Sequence, residues 1–233
     1  MLRCVEPRSD KSGNRRGRRS RDEILEAASH LMAERGFAAT TLSELSRVSG
    51  VPKSAVYHHF RSKAGLLSAV MERGAHAFFE HMAKAQERPP RERGVRERLG
   101  WYLQRTGEVF LAHPDFLRLH LILVMNAEVM DAAEAGEVEA IIARVRRDGR
   151  AHMNRMIADS FAAYGPETAQ AVADRLDYFA IAGFDGAFVA WQADPSRSLT
   201  DAMDQLTDAV AALGESLART TPDTANLDSA PTR

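Results

Sequence analysis

Cysteine occurs once in the 233 residues, at Cys4, so the chain can close no internal disulfide and build no thiolate metal cluster. Such sparing use fits a reducing compartment, and a cytoplasmic protein is expected. Long apolar runs are missing as well. The longest, around Leu119–Met125, is far shorter than the roughly 20 residues that cross a bilayer. The basic N-terminus is followed by no apolar stretch, so neither a secretory signal nor a membrane role is expected. No segment alternates polar and apolar residues with period two, so no sheet is predicted.

Catalytic and cofactor signatures are also lacking. There is no G-x-S-x-G, no P-loop and no G-x-G-x-x-G, and Gly183-Phe184-Asp185-Gly186 falls inside a helical pattern where it cannot cradle phosphate. His76 and His81 are five residues apart, off a common helix face, and belong to no H-E-x-x-H pair. Asp148 and His152 stand at i, i+4 and could meet, but a surface ion pair with neighbouring arginines is the expected arrangement. No enzyme, metal or cofactor is therefore expected.

The charge distribution is the first positive feature. The formal net charge is only −1, yet residues 1–73 hold 14 Lys/Arg against 8 Asp/Glu, while the rest holds 17 against 24. A basic first third on an acidic body points to a polyanionic partner at one end. Within that third, residues 41–63 read TLSELSRVSGVPKSAVYHHFRSK. Thr41 and Glu44 make the S/T-x-x-E box in which hydroxyl and carboxylate satisfy the first free N–H groups of a helix. Leu42, Leu45 and Val48 follow at helical spacing, and Gly50 supplies a residue that turns left-handed without a Cβ clash. Pro52 suits the first turn of a second helix. Val56 and Phe60 would face inward, leaving Lys53, Ser54, Tyr57 and His58 outside. Two short helices and a tight turn with this outer face are the design that places a helix in a major groove.

From Ser20 to Met71 the chain resembles the DNA-binding domain of the tetracycline-repressor (TetR) family. The residues that carry the likeness are Ile24-Leu25-x-Ala27-Ala28, Phe37, Thr41, Gly50-Val51, Val56-Tyr57-x-x-Phe60 and Ser62-Lys63-x-x-Leu66-Leu67. Four positions depart from the family pattern: Ser46 for a small Ala, Pro52 for a capping Ser, Ser54 for a Gly and Ala64 for a Glu. Ser54 adds a side chain to the groove-facing surface, so the operator sequence does not transfer from relatives. The resemblance implies that Tyr57 contacts a phosphate and that Lys63 clamps the backbone beside the groove. Lys53 suits a guanine edge or a phosphate, and Thr41 and Ser43 suit a phosphate at a helix start. His58 is read as a base or phosphate contact and His59 as a lesser one; a solvated surface is the competing reading for each.

Residues 1–19 are expected to form a disordered basic arm whose Arg15, Arg16, Arg18 and Arg19 lie along phosphates or enter a narrow minor groove, or are simply a charged tail. Ser20-x-x-Glu23 is a second capping box, so the first helix is expected to start there. The helix-turn-helix domain would span 20–66, an all-helical effector-binding and dimerisation domain 67–219, and a disordered tail 220–233. In the larger domain Met203, Leu206, Val210, Leu213 and Leu217 recur at 3-4-3-4 spacing, and Ala180, Gly183 and Ala187 form a stripe of small residues. Periodicity alone leaves an intrachain core and a seam between two copies equally open; the resemblance implies the homodimer. It also implies a pocket for a small apolar effector near Trp101, Arg105, Phe116, His120, Met125, His152, Met156 and Tyr178, all of which equally suit an ordinary helical core. The expected protein is an all-α homodimeric regulator of transcription, a repressor released from double-stranded DNA by a ligand. The rival reading is a helical adaptor whose helix-turn-helix no longer reads DNA.

Overall fold

The computed structural model describes residues 11–90, 94–125 and 132–220; the side chains of residues 11–14, 16 and 132–135 lie outside the described set. Among the described residues every regular element is helical, so the protein is all-α: α1 Lys11–Ala39, α2 Leu42–Ser49, α3 Lys53–Phe60, α4 Lys63–Ala85, α5 Val95–Ala112, α6 Pro114–Met125, α7 Ala132–Ser160, α8 Pro166–Ala193 and α9 Leu199–Thr220, with one 3-10 turn at Ala162–Tyr164. No described helix is long and apolar enough to cross a membrane.

The chain divides into two compact units. The first takes residues up to Ala77 together with Pro114–Ile142, and the second takes Phe78–His113 together with Ala143 onward. Helix α6 thus joins the N-terminal unit, packing on α1, instead of the larger domain expected from residue 67. The core of the first unit is the apolar face of α1 (Ile24, Leu25, Ala28, Leu31, Met32) with Leu45, Val56, Phe60, Leu66 and Leu67, all buried. Gly36 breaks α1 as its position suggests, with φ 79° and ψ 165°.

Two expectations near the N-terminus are corrected. The chain is already helical from Lys11, so Ser20 lies inside α1 and does not cap it, and Glu23 pairs instead with Arg19 at 2.9 Å. Residues 11–19 are therefore helix and not a disordered arm; despite Gly13 and Gly17, the segment extends a helix already nucleated by its buried C-terminal half. Residues 1–10 and the tail beyond Thr220 lie outside the described set.

In the second unit α9 packs against α5 and α8. Phe110 meets Phe184 and Phe188 at ring separations of 5.1 and 6.1 Å, and all three are buried. Small residues set the helix spacing: a Cβ at Gly183 would meet the end of Leu206, and one at Gly214 would meet the ring of Phe161. This corrects the expected seam. Met203, Leu206, Val210 and Ala180 are consumed inside the subunit, Gly183 seats Leu206, Ala187 and Leu217 are half-buried, and only Leu213 stays exposed. A 3-4 repeat reports that one face is apolar and says nothing of which helix covers it. The large apolar side chains left outside on α8 are Tyr178, Phe179 and Val189.

Candidate nucleic-acid interface

Helix α3 is held by its inner face. Val56 is 2 % and Phe60 6 % exposed, whereas Tyr57 is 56 % exposed and Lys53, Ser54 and His58 point to solvent. One short helix thus presents a lysine, two hydroxyls and an imidazole on a single outer face. Helix α2 supports it. Thr41 Oγ1 accepts the Glu44 N–H at 3.2 Å, and Gly50 closes the helix with φ 69°. Thr41 and Ser43 are exposed at this helix start. The box is only half formed. The Glu44 carboxylate turns away from Thr41 to the Arg35 guanidinium of α1, with Arg47 at 3.9 Å, because a charged partner binds a carboxylate more strongly than a lone N–H does. Of the apolar residues at helical spacing on α2, Leu45 is buried and Val48 is exposed.

Three residues carry roles that spacing did not suggest. Lys63 donates from Nζ to the Ala38 carbonyl at 3.1 Å and sits 4.5 Å above the Phe37 ring, so its ammonium first serves to tie α4 to the end of α1. Arg21 stands 5.3 Å over the Phe60 ring, beside His59. Partial burial, then His58, then Arg21 holds the pKa of His59 below the ordinary imidazole value. Arg61, exposed directly after α3, has φ 60°, and its successor's N–H reaches the Phe60 carbonyl at 2.6 Å. Gly65 permits this tight junction, since a Cβ there would lie 2.5 Å from the Phe60 carbonyl oxygen. An arginine gives no sequence sign of a left-handed backbone, so Arg61 was not among the expected contacts.

On α1, Arg15, Arg18 and Arg19 are exposed and share one face at i, i+3, i+4 spacing. The side chain of Arg16 lies outside the described residues.

The residues expected to line an effector pocket do not form one set. Phe116 and His120 are buried and stacked in the first unit, and Met125 there is 82 % exposed. In the second unit Trp101 lies under the Arg105 guanidinium at 4.3 Å and the exposed Tyr178 under Arg150 at 4.3 Å. These are solvent-side cation–π stacks, which periodicity cannot tell from pocket walls. A cleft of about 600 Å³ in that unit is lined by charged residues including Arg147, Arg155 and Asp177 and contains none of the eight.

His152 and Met156 do belong to a buried polar hub. Gln86 donates to the Tyr102 carbonyl at 3.2 Å and to Thr106 Oγ1 at 3.0 Å, and its carbonyl lies 2.7 Å from His152 Nε2. An amide oxygen only accepts, so Nε2 carries the proton. Arg155 approaches the other nitrogen of His152 at 3.4 Å. Burial, then Arg155, lowers the pKa of His152 from 6.5 to about 4. The unfolded chain therefore takes up this proton near pH 6.5 and the folded one only near pH 4. Stability from this group is complete above pH 6.5 and is lost as pH falls towards 4, by on the order of 3 kcal/mol. Thermal unfolding followed between those limits should show the loss in the parent and a flatter profile in His152→Gln. Nearby, Arg98 grips Asp159 with two bonds of 2.8 and 2.7 Å, and Tyr102 donates to the same carboxylate at 2.7 Å; burial, then Asp159, raises the pKa of that phenol.

Known proteins can now be set beside this geometry. The profile "Bacterial regulatory proteins, tetR family" matches residues 24–70. The HTH-type transcriptional repressor NemR of Escherichia coli (strain K12) is 32 % identical over 115 residues, which is 49 % of this chain and 56 % of that protein. The HTH-type transcriptional regulator TtgR of Pseudomonas putida is 38 % identical over 68 residues, covering 29 % of this chain and 32 % of that one. The chain thus spans about half or less of the length of these curated relatives. Among solved structures, a TetR-family transcriptional regulator from Agrobacterium tumefaciens superposes with TM-score 0.64 at 16 % identity, over 84 % of this chain and 98 % of that one, which shows a shared fold. Residues 24–70 thus carry the signature of the tetR family of bacterial regulatory proteins, and the chain shares the fold of solved regulators of that family.

Proposed function

We propose that the chain is a sequence-specific DNA-binding regulator of transcription, a repressor that acts as a homodimer on an inverted repeat and is released by a small molecule. The observation that carries this reading is the outer face of α3, where Lys53, Ser54, Tyr57 and His58 are exposed on a helix whose opposite face is buried. Thr41 and Ser43 add donors for phosphate, Arg61 adds a cation at the C-terminal end of α3, and Arg15, Arg18 and Arg19 extend the positive surface. The domain assignment that goes with it is DNA reading by 20–66 and regulation and pairing by 67–219. Names of relatives include both repressors and an activator, FasR of Mycolicibacterium smegmatis, and the repressor reading follows NemR.

Two copies pair, on this reading, through the apolar side of α8 that its own chain leaves uncovered: Phe179, Ala182, Gly186 and Val189, spaced 3-4-3, with Leu213 of α9. Glutamate at both Phe179 and Val189, which are 45 % and 55 % exposed, should give folded monomers by light scattering. Unchanged dimers would move the interface elsewhere. An effector that favours the released state a hundredfold supplies about 2.7 kcal/mol of coupling.

The test of function is capture of fragmented genomic DNA by the purified protein, followed by sequencing. Enrichment of one or a few inverted repeats supports the reading. Retention without sequence preference overturns it in favour of the adaptor.

A further inference from the structure

We propose that His81 and His113 together bind a divalent late transition-metal ion of the zinc, nickel or copper class. Both belong to the second unit. His81 Nδ1 lies 3.2 Å from His113 Nε2, and the rings stand 5.4 Å apart at 68°. Two neutral imidazoles so placed share one proton, and the same pair of nitrogens fits around a metal. Bonds of roughly 2.0–2.1 Å to each nitrogen would meet at about 100°, close to tetrahedral. Imidazole is the side chain that these ions favour, and it binds only when unprotonated.

The pair is part anchored and part free. His113 closes α5, where its N–H donates to the Phe110 carbonyl at 3.2 Å, and its half-buried ring packs edge-on against Phe78 at 5.9 Å. Burial, then His81, keeps its pKa below the usual imidazole value, so it is neutral at physiological pH. His81 is exposed on α4 and needs only a tilt of its ring for the two lone pairs to converge. The adjacent Glu80 is held by Lys84 at 2.8 Å. No group of three or more metal-binding side chains occurs among the described residues, so the protein supplies two ligands and solvent the rest. An ion here ties α4 to the end of α5. Those lie beside two of the three places where the chain passes from one compact unit to the other, since His113 ends one segment of the second unit and His81 follows closely on its first residue, Phe78.

Calorimetric titration of the full chain with zinc chloride and with nickel chloride near neutral pH tests the site without involving DNA. One ion per chain is expected, with affinity weakened at least about tenfold in His81→Gln and in His113→Gln and unchanged in the control His76→Gln. Zinc should also raise the thermal midpoint of the parent and not of the His81→Gln chain. His81 is exposed, so its variant reports on the site even where His113→Gln folds poorly. Absence of saturable binding at millimolar ion, or equal binding by the doubly substituted chain, overturns the proposal.

Discussion

Alanine at both Lys53 and Tyr57 is expected to lower affinity for the operator by at least a hundredfold while leaving thermal unfolding almost unmoved. The two side chains lie on the exposed face of α3 and make no packing contribution to the core formed by Val56, Phe60 and Leu45. Each direct contact to base or phosphate is worth about 1–3 kcal/mol, and a two-fold dimer loses every contact twice. Even the low end sums to about 4 kcal/mol, more than the roughly 2.7 kcal/mol that a hundredfold requires. Salt dependence separates the roles. If Lys53 meets a phosphate, its single variant lowers the log–log salt slope by about 0.9 per subunit; if it reads a guanine, the slope holds and sequence preference relaxes. The measurement is anisotropy titration of a labelled operator at several salt concentrations, beside an unfolding curve for each variant. Affinity within threefold of the parent would mean that α3 is not the reading surface.

The largest effect on stability is expected at Phe161. This ring is fully buried and lies against Gly214 of α9 so closely that a methyl group there would overlap it. Phe161→Ala removes the ring and leaves a cavity that α9 cannot easily close, because Gly214 has no side chain to fill it. A loss of about 3–5 kcal/mol is expected, and at about 2–4 °C per kcal/mol the thermal midpoint should fall by roughly 10 °C. Gly214→Ala should cost about 1–3 kcal/mol by overpacking the same spot. The two changes act on one contact, so combining Gly214→Ala with Phe161→Leu should cost less than their sum. Strict additivity would show that the ring and the glycine do not determine each other's position.

The proposed DNA-reading segment was legible because its determinants are local. Thr41 caps α2, Gly50 turns the chain, and the i, i+4 pair Val56 and Phe60 faces inward; each acts within a few residues, where spacing translates directly into geometry. The all-helical class followed from the same periodicity. What the sequence could not determine involves partners far along the chain. An apolar repeat on α9 said that one face would be covered, and only packing decided that α5 and α8 of the same subunit cover it, leaving Phe179 and Val189 outside. Glu44 was expected to bond its own helix start and was claimed by Arg35 of α1 instead. His81 was compared with His76 on its own helix, whereas its neighbour in space is His113, 32 residues away. Short-range rules choose among backbone conformations, since those energies depend on adjacent residues. Which side chains meet, and so which charges, rings and nitrogens can act together, is set by how the helices pack.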